Sequence, residues 1–434
     1  MRDITKGSLM RDITTGSLMH VYGSFAEHVD YTARLTVRLA DAVDALLLRE
    51  ALDKTQRRYP YLSVQMRKND SVYYYDDNPR PVVLLHTDSR VSLNAEETNY
   101  HVWAVCYNED RIHLDFYHGI TDGAGIYRML ATLLWYYCSA RYGLTDHTGI
   151  RTLEDLKDVS DLLSEETDDP MDHLTPPAQR RYRDIPLDAA FTFETDGGLT
   201  PSAPVLWDIE IPEEPFIRFT SANDASPGTM VSLLFARAAD RLYPDRTKDI
   251  VSAYVINARP MTGAAETYHN CLSMAVFKYE DRIRSMPLER QCTIYRGKTF
   301  IQSDEDRIRE ILSVNAGLLR GAAESAESLE AKKQVFGPAF SGGEGLVTFL
   351  VSYVGKWPFP ALGQYIREMW PHSPNTFSIL VQIAAAGGKI FLSVQQRFRE
   401  DTVLRAFLKE LESNGISYKI CRHMASDTAR FPEP

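Results

Sequence analysis

A long polar stretch with several prolines, residues 146–204, divides this chain into two parts. On both sides of it, segments with strand character alternate with amphipathic helices. Residues 34–58 contain a predicted strand and a helix of the first part, and residues 249–257 are a predicted strand of the second. Such alternation is typical of layered α/β domains. The predicted units are an N-terminal half at residues 19–175, a crossover linker at residues 176–204 and a C-terminal half at residues 205–434.

The first eighteen residues consist of two near-identical copies of a nine-residue unit, MRDITKGSL followed by MRDITTGSL. A unit of this length is too short to be a structural repeat, because repeat architectures use units of about 20–50 residues. We interpret residues 1–18 as a duplicated start that is either disordered or an artificial addition, and we expect it to take no part in the fold.

Charge and cysteine usage exclude several classes of function. Lys and Arg number 48 against 59 Asp and Glu, so the net charge of −11 disfavours nucleic acid as a partner. The five cysteines lack metal-ligand spacing, which predicts no metal site and a reducing cytoplasmic location. The charge-free segment at residues 369–388 is apolar only over residues 377–386, which predicts a buried strand rather than a membrane span.

The most informative run lies around residue 118, where one periodicity replaces another. Ile112, Leu114, Phe116 and His118 alternate with other residues and therefore share one face of a predicted strand. From Ile126 onward the apolar residues recur at helical spacing, so the glycines between mark a sharp strand-to-helix turn. The pattern places the His118 side chain inside, at the end of a strand.

Several roles are open for the polar residues of this turn. A buried neutral imidazole can accept a proton from a hydroxyl or an amine, so His118 is a candidate general base. It could equally be a hydrogen-bonded turn residue, and Asp122 could be no more than the N-cap of the helix. A third reading, His118 and Asp122 as paired metal ligands, lacks a third ligand nearby in sequence.

The segment His118–Gly123, HGITDG, resembles the HxxxDG motif of the chloramphenicol acetyltransferase-like superfamily. That superfamily includes alcohol O-acetyltransferases, plant acyl-CoA-dependent acyltransferases, mycobacterial polyketide-associated acyltransferases and the condensation domains of peptide synthetases. Further along, Asn257 and Arg259 lie in an Asn-x-Arg-Pro element similar to that of the family, and Asn270 follows after a short loop. The segment at residues 352–357 resembles the family's late strand and small-residue turn. The resemblance extends over residues 31–420.

The resemblance implies two α/β sandwich domains that form a pseudo-dimer with a central channel. In that arrangement His118 is the general base, and a donor and an acceptor reach it from opposite faces. Asp122 turns away from the substrates and pairs with an arginine, for which Arg259 is the candidate, with Asn257 in support and Gly123 completing the turn. The chain departs from the family in having Tyr117 where many members have a second histidine.

The group that stabilises the negatively charged oxygen of the intermediate is less defined. Such an oxygen needs one or two hydrogen-bond donors about 3 Å away. Ser352 is our candidate, with Tyr353 as an alternative, although Ser352 could also be an ordinary strand hydroxyl.

The function that these observations predict is an acyl-CoA-dependent O-acyltransferase, which moves an acetyl or longer acyl group from a thioester to a small alcohol. Acyl-CoA is then a substrate, and no permanently bound cofactor or metal is expected. One alternative is a condensation-type enzyme, or one supplied by an acyl carrier protein, that forms an amide or ester. Another is a noncatalytic binding protein on the same scaffold, because fold does not fix function. A pseudo-dimer supplies its own interface, so we expect a monomer.

Overall fold

A computed structural model of the chain describes residues 10–155, 164–193, 205–341, 343, 345–425 and 431–434. The fold is mixed α/β, with a three-stranded, a five-stranded and a seven-stranded sheet. The two larger sheets belong to the two halves of the chain and carry separate apolar cores. This is the two-part α/β architecture that the alternation of strands and helices predicts.

The N-terminal half is built on the five-stranded sheet, in the order β12-β2-β7-β6-β5, where β12 is Ile366–His372 from the C-terminal half of the sequence. Its longest helix, α3, follows directly after the HxxxDG turn, and helix α2 begins where the Asp44 side chain accepts hydrogen bonds from two backbone N–H groups. The small sheet, in the order β1-β4-β3, lies beside it. The elements of this half are β1 Arg11–Asp12, α1 Leu18–Ala26, β2 Thr32–Leu39, α2 Ala45–Arg58, β3 Val64–Lys68, β4 Tyr73–Asp77, β5 Leu84–His86, β6 Trp103–Asn108, β7 Arg111–Tyr117 and α3 Gly123–Tyr142.

The C-terminal half is built on the seven-stranded sheet, in the order β10-β9-β11-β13-β14-β8-β15. Gly387 and Gly388 have positive φ values of 57° and 78°, which a tight turn between β13 and β14 requires. The elements are β8 Val205–Pro212, α4 Glu213–Ala222, α5 Pro227–Leu242, β9 Ile250–Asn257, β10 Leu272–Tyr279, α6 Leu288–Gln302, α7 Glu305–Ser325, α8 Leu329–Ser341, β11 Phe349–Lys356, β12 Ile366–His372, β13 Ile379–Ala386, β14 Lys389–Gln396, α9 Thr402–Ser413 and β15 Lys419–Ala425.

Strand β12 crosses between the halves. It lies within residues 205–434 of the sequence, yet it pairs antiparallel with β2 over Ile366–His372 and so belongs to the sheet of the N-terminal half. His372 on this strand is buried and bonds Asp208 of β8 at 3.0 Å, which ties the exchanged strand back to the C-terminal half. Hydrogen bonding therefore links the two halves through a shared strand as well as through the linker.

The seven-stranded sheet opens between β9 and β11. Their parallel pairing covers residues 252–254 and 349–351, whereas both strands continue to Asn257 and Lys356. On its other side β9 remains paired with β10 as far as Asn257. Over these described residues, the edges at 255–257 and 352–354 therefore have no partner across the opening, which we call the β9–β11 gap.

The second copy of the duplicated start is part of the fold, contrary to our expectation that residues 1–18 take no part in it. Strand β1 pairs with β4 in register Arg11 to Tyr75. The backbone N–H groups of Thr15 and Gly16 donate to Asp172 and Asp169 at 2.8 and 2.9 Å. These hydrogen bonds join the start of the chain to the segment that follows α3. The first copy, residues 1–9, lies outside the described residues.

Residues 164–193, at the predicted boundary and linker, pack against both halves. Glu166 is buried and accepts hydrogen bonds from the Arg58 guanidinium of the N-terminal half at 2.6 and 3.1 Å. Further on, the Phe191 N–H donates to Asp249 O at 2.8 Å in the C-terminal half. Among the described residues, no helix combines the length and apolar character needed to cross a bilayer.

Candidate active site

His118 lies immediately after β7, where the strand pattern predicts an inward side chain. Its N–H donates to Tyr31 O at 2.8 Å, which continues the pairing of β2 with β7. The His118 and Phe116 rings lie 6.0 Å apart, as expected for residues that share a strand face. Tyr117 points the other way and stacks on Phe431 with ring centres 3.9 Å apart. Its position before the histidine therefore serves packing.

The two ring nitrogens of His118 have different surroundings. Nδ1 is buried, and the ring interacts with the carbonyl group of its own residue and more weakly with the Asn270 side chain. No hydrogen bond joins Nε2 to a described residue, and the atoms of the described residues do not seal it. Burial is the main cause that lowers the pKa of His118, against smaller opposing effects of its own carbonyl, Asp122 and Asn270. The ring is therefore neutral near pH 7, and Nε2 is the nitrogen available to accept a proton.

Asp122 is held by hydrogen bonds on both carboxylate oxygens. It is the N-cap of α3, where Oδ1 accepts from the Gly125 N–H at 3.0 Å. Arg259 binds both oxygens at 2.8 and 3.0 Å, and the Cys271 N–H donates to Oδ2 at 3.0 Å. Burial opposes ionisation, but the charge and hydrogen bonds of Arg259 outweigh it and lower the pKa of Asp122. The carboxylate is therefore charged, and each of its oxygens is bound by protein groups.

Arg259 is fixed as firmly as its partner. Its side chain is buried, and it donates to the carbonyl oxygens of Thr267 and His269 at 3.0 and 2.7 Å. The Asn257 side chain accepts from both the backbone N–H and the Nη1 of Arg259 at 3.2 Å. The Asn257, Arg259 and Asp122 side chains that the resemblance brings together are thus one hydrogen-bonded group.

Asn270 connects this group to His118. Its Nδ2 donates to the carbonyl oxygens of His118 and Gly119 at 3.1 and 3.4 Å, and so fixes the peptide that carries the imidazole. From the sequence, Asn270 is similar to an asparagine of the family but has no predicted role. Asn270 directly precedes Cys271, whose N–H donates to Asp122. One short segment therefore contacts both Asp122 and the peptide of His118.

Two glycines of the turn allow close packing that other residues would prevent. A Cβ at Gly125 would lie 2.4 Å from Tyr268 O, a contact that real Cβ atoms do not make. A Cβ at Gly123 would lie 3.0 Å from Val354 Cγ2 on β11. Strand β11 of the C-terminal half therefore reaches the beginning of α3, directly beyond the HxxxDG turn.

Ser352 points away from the core of the C-terminal half, because its neighbours Val351 and Tyr353 pack in that core. Val354, just beyond, packs against the core of the N-terminal half. The Ser352 side chain is half-buried, and its hydroxyl forms no hydrogen bond with a described residue, although its backbone pairs with Gln382 of β13. It also borders the β9–β11 gap. Tyr353, the alternative oxyanion donor, lies on the opposite face and packs against the core of the C-terminal half.

Neither the protein-family models nor the curated proteins include a match to this chain. Among solved structures, TRI101 from F. sporotrichioides complexed with coenzyme A and T-2 covers 95% of this chain and 100% of its own, with a TM-score of 0.62 and 11% identity. Polyketide synthase associated protein 5 from Mycobacterium tuberculosis covers 93% of this chain and 98% of its own, with a TM-score of 0.59 and 12% identity. The first condensation domain of the calcium-dependent antibiotic synthetase, in complex with a substrate analogue, covers 94% of this chain and 97% of its own. Its TM-score is 0.62 and its identity is 13%.

The chain has the chloramphenicol acetyltransferase-like fold. The likeness covers both halves, so the pseudo-dimer that the HxxxDG motif implies is the architecture observed.

Two side chains beside His118 in this acetyltransferase-like fold were missed by the sequence analysis. His20 of α1 bonds the Tyr31 hydroxyl through Nδ1 at 2.9 Å, and the two rings lie 6.3 and 5.2 Å from that of His118. A signal for the helix was present, because apolar residues recur at helical spacing just after the duplicated start. These residues are Leu18, Val21, Tyr22 and Phe25.

Proposed function

We propose that this protein is an acyl-CoA-dependent O-acyltransferase in which His118 Nε2 is the general base. The observation that carries the proposal is the placement of the His118 ring, which is open at Nε2 and whose peptide is held from behind by Asn270. Burial lowers the pKa of the ring, which favours the neutral base. Asp122 and Arg259 already form a complete ion pair, so they support the turn without entering the reaction.

The reaction follows from this arrangement. The acceptor O–H gives its proton to Nε2 of His118, and its oxygen attacks the thioester carbonyl carbon. The resulting tetrahedral oxyanion receives a hydrogen bond from Ser352, and collapse breaks the C–S bond. The departing thiolate takes the proton back from His118, which leaves an ester, a free thiol and a neutral imidazole. General base catalysis of this kind contributes about 10²- to 10⁴-fold, and an oxyanion donor about 3 kcal/mol.

The β9–β11 gap is suited to the thioester donor. Its strand edges carry unpaired backbone N–H and C=O groups beside Ser352. The pantetheine arm of CoA is extended and bears amide groups, which can bond to such edges as an added strand does. TRI101, which has the same fold, is described in complex with coenzyme A. A donor in the gap would bring its carbonyl to the Val354 side of the HxxxDG turn.

The test is release of free thiol from acetyl-CoA with a panel of small alcohols, together with mass spectrometry of the products. We expect transfer by the wild type and a 10²- to 10⁴-fold lower rate for His118→Ala, with an unchanged melting temperature. His147→Ala, at an exposed histidine after α3, is the matched control and should retain full activity.

Other outcomes would change the assignment. Transfer from an acyl carrier protein but from no free CoA ester would favour a condensation-type or carrier-dependent enzyme. Ligand binding without thiol release from any donor would favour a noncatalytic protein. An active His118→Ala variant would contradict the general base role directly.

A further inference from the structure

His20 and Tyr31 form a polar pair next to the general base. Tyr31 lies across from His118 in the sheet, because its carbonyl accepts the His118 N–H at 2.8 Å. Its hydroxyl bonds His20 Nδ1 at 2.9 Å, and the two rings stack with centres 5.6 Å apart. The Phe340 ring of α8 meets the Tyr31 ring edge-on at 5.2 Å. The pair is therefore held on the α1 side of His118, whereas Val354 and the β9–β11 gap lie beyond the turn, at β11.

Both members of the pair are neutral at physiological pH. Burial, and secondly the neighbouring His118, lower the pKa of His20 to about 3. Burial raises the pKa of Tyr31. The pair therefore acts on a ligand through hydrogen bonds alone, and it adds no charge that would compete with His118 for a proton.

One nitrogen of the pair has no hydrogen-bond partner in the part of the chain that the structure describes. His20 Nε2 forms no hydrogen bond with any described residue, and protein atoms do not seal it. If the Tyr31 hydroxyl donates to Nδ1, then Nε2 carries the hydrogen and is a donor. If Nδ1 donates instead, Nε2 is an acceptor and the hydroxyl can donate elsewhere. In both tautomers the pair presents a donor and an acceptor to a molecule beside His118.

We propose that His20 and Tyr31 bind the acceptor, and that the acceptor carries a second oxygen next to the hydroxyl that is acylated, as in a 1,2-diol. This inference rests on the proposed function of the same site. Ring centres 6.3 Å apart allow hydrogen bonds of about 2.9 Å from His118 and His20 to two neighbouring oxygens. Binding the second oxygen holds the first with its proton toward His118 Nε2.

The test compares 1-propanol with 1,2-propanediol as acceptors of acetyl from acetyl-CoA. For the wild type we expect kcat/KM about tenfold higher with the diol, the change expected from one neutral hydrogen bond. His20→Asn keeps a polar group near Tyr31 but loses the atom at the Nε2 position. This variant should lose the preference for the diol. The KM for 1,2-propanediol should rise about tenfold, and the KM for acetyl-CoA should remain unchanged.

Two further variants separate contact from packing. His20→Gln keeps a polar group near the Nε2 position and should retain much of the preference. Tyr31→Phe removes only the hydroxyl and should weaken the preference. Tyr142→Phe, at a tyrosine whose hydroxyl bonds Asp41 at the surface, is the control and should behave as the wild type. Equal use of both alcohols by the wild type, or a change confined to the KM of acetyl-CoA, would overturn the proposal.

A binding measurement keeps this proposal separate from the proposed function. Side-chain ¹⁵N NMR of the histidines, with His20 assigned by its loss in His20→Asn, can follow a titration with 1,2-propanediol. We expect the diol to shift the His20 Nε2 signal, and 1-propanol to shift it less, even if no acetyl transfer occurs. A His20 signal that responds to neither alcohol contradicts the proposal, whereas a shift without transfer contradicts only the acyltransferase function.

Discussion

The two sides of His118 differ in how their polar groups are satisfied. Behind the ring, each carboxylate oxygen of Asp122 accepts two hydrogen bonds, and the Arg259 guanidinium is surrounded by acceptors. In front, Nε2 of His118, Nε2 of His20 and the Ser352 hydroxyl have no partner among the described residues. Because unpaired polar groups in a protein interior cost free energy, the front is suited to bind a ligand. The Asp122–Arg259 pair behind the ring is completed by folding alone, whereas Asn270 Oδ1 beside it is buried without a hydrogen-bond partner in the part of the chain that the structure describes.

The largest expected effect comes from removing the Asp122–Arg259 ion pair behind the His118 ring. Asp122→Asn would leave the buried Arg259 without its counter-ion, which typically costs about 3–5 kcal/mol of the free energy of unfolding. We expect a lower melting temperature and urea midpoint, with activity lost in parallel. Asp304→Asn is the matched control, because Asp304 caps α7 at the surface with no such arginine, and it should cost less than about 1 kcal/mol. A stable but inactive Asp122→Asn protein would instead give Asp122 a direct chemical role.

A substitution at Ser352, in front of the His118 ring, should lower kcat without changing the stability of the protein. Ser352→Ala removes the proposed oxyanion donor, and loss of one such donor lowers kcat by about 10²- to 10³-fold. Because the Ser352 hydroxyl forms no hydrogen bond with described residues, the melting temperature should remain that of the wild type. Steady-state kinetics and thermal unfolding measure both quantities, with Ser273→Ala on β10 as the control. If kcat is unchanged, the oxyanion is stabilised by a different group and Ser352 is an ordinary strand residue.

The back of the site could be predicted from sequence, because its residues lie in short motifs that keep their spacing. The HGITDG turn and the Asn257–Arg259 element each define a local backbone, and the resemblance supplies the contact between them. The front depends on contacts between distant segments, and His20 comes from a helix that directly follows the duplicated start. The helical spacing of Val21, Tyr22 and Phe25 indicates α1, but no local pattern indicates that this helix lies beside His118. Likewise, no local pattern in Ile366–His372 indicates that β12 pairs with β2.

The duplicated start itself connects to the back of the site. A Cβ at Gly16 would lie 2.8 Å from an Asp169 carboxylate oxygen and 2.9 Å from Asn270 O. Gly16→Ala should therefore displace the loop that carries Asn270 and cost about 1–3 kcal/mol of the free energy of unfolding. Gly321→Ala in α7 has open space around its Cβ and should be neutral or stabilising by up to about 1 kcal/mol. A Gly16→Ala protein as stable as the wild type would mean that the second copy is only loosely attached.

The smallest expected effect is the influence of Asn270, behind the ring, on the pKa of His118. Because the pKa of His118 is lowered from 6.5, the base stays neutral below that pH, and the acid limb of kcat/KM should lie under pH 6.5. Asn270 acts to raise this pKa, so Asn270→Ala should move the limb to still lower pH. The pH–rate profiles of the two proteins, with circular dichroism at each pH to exclude unfolding, measure the shift. A limb that moves to higher pH would mean that Asn270 favours the neutral ring, and that the coupling between the two sides has the opposite sign.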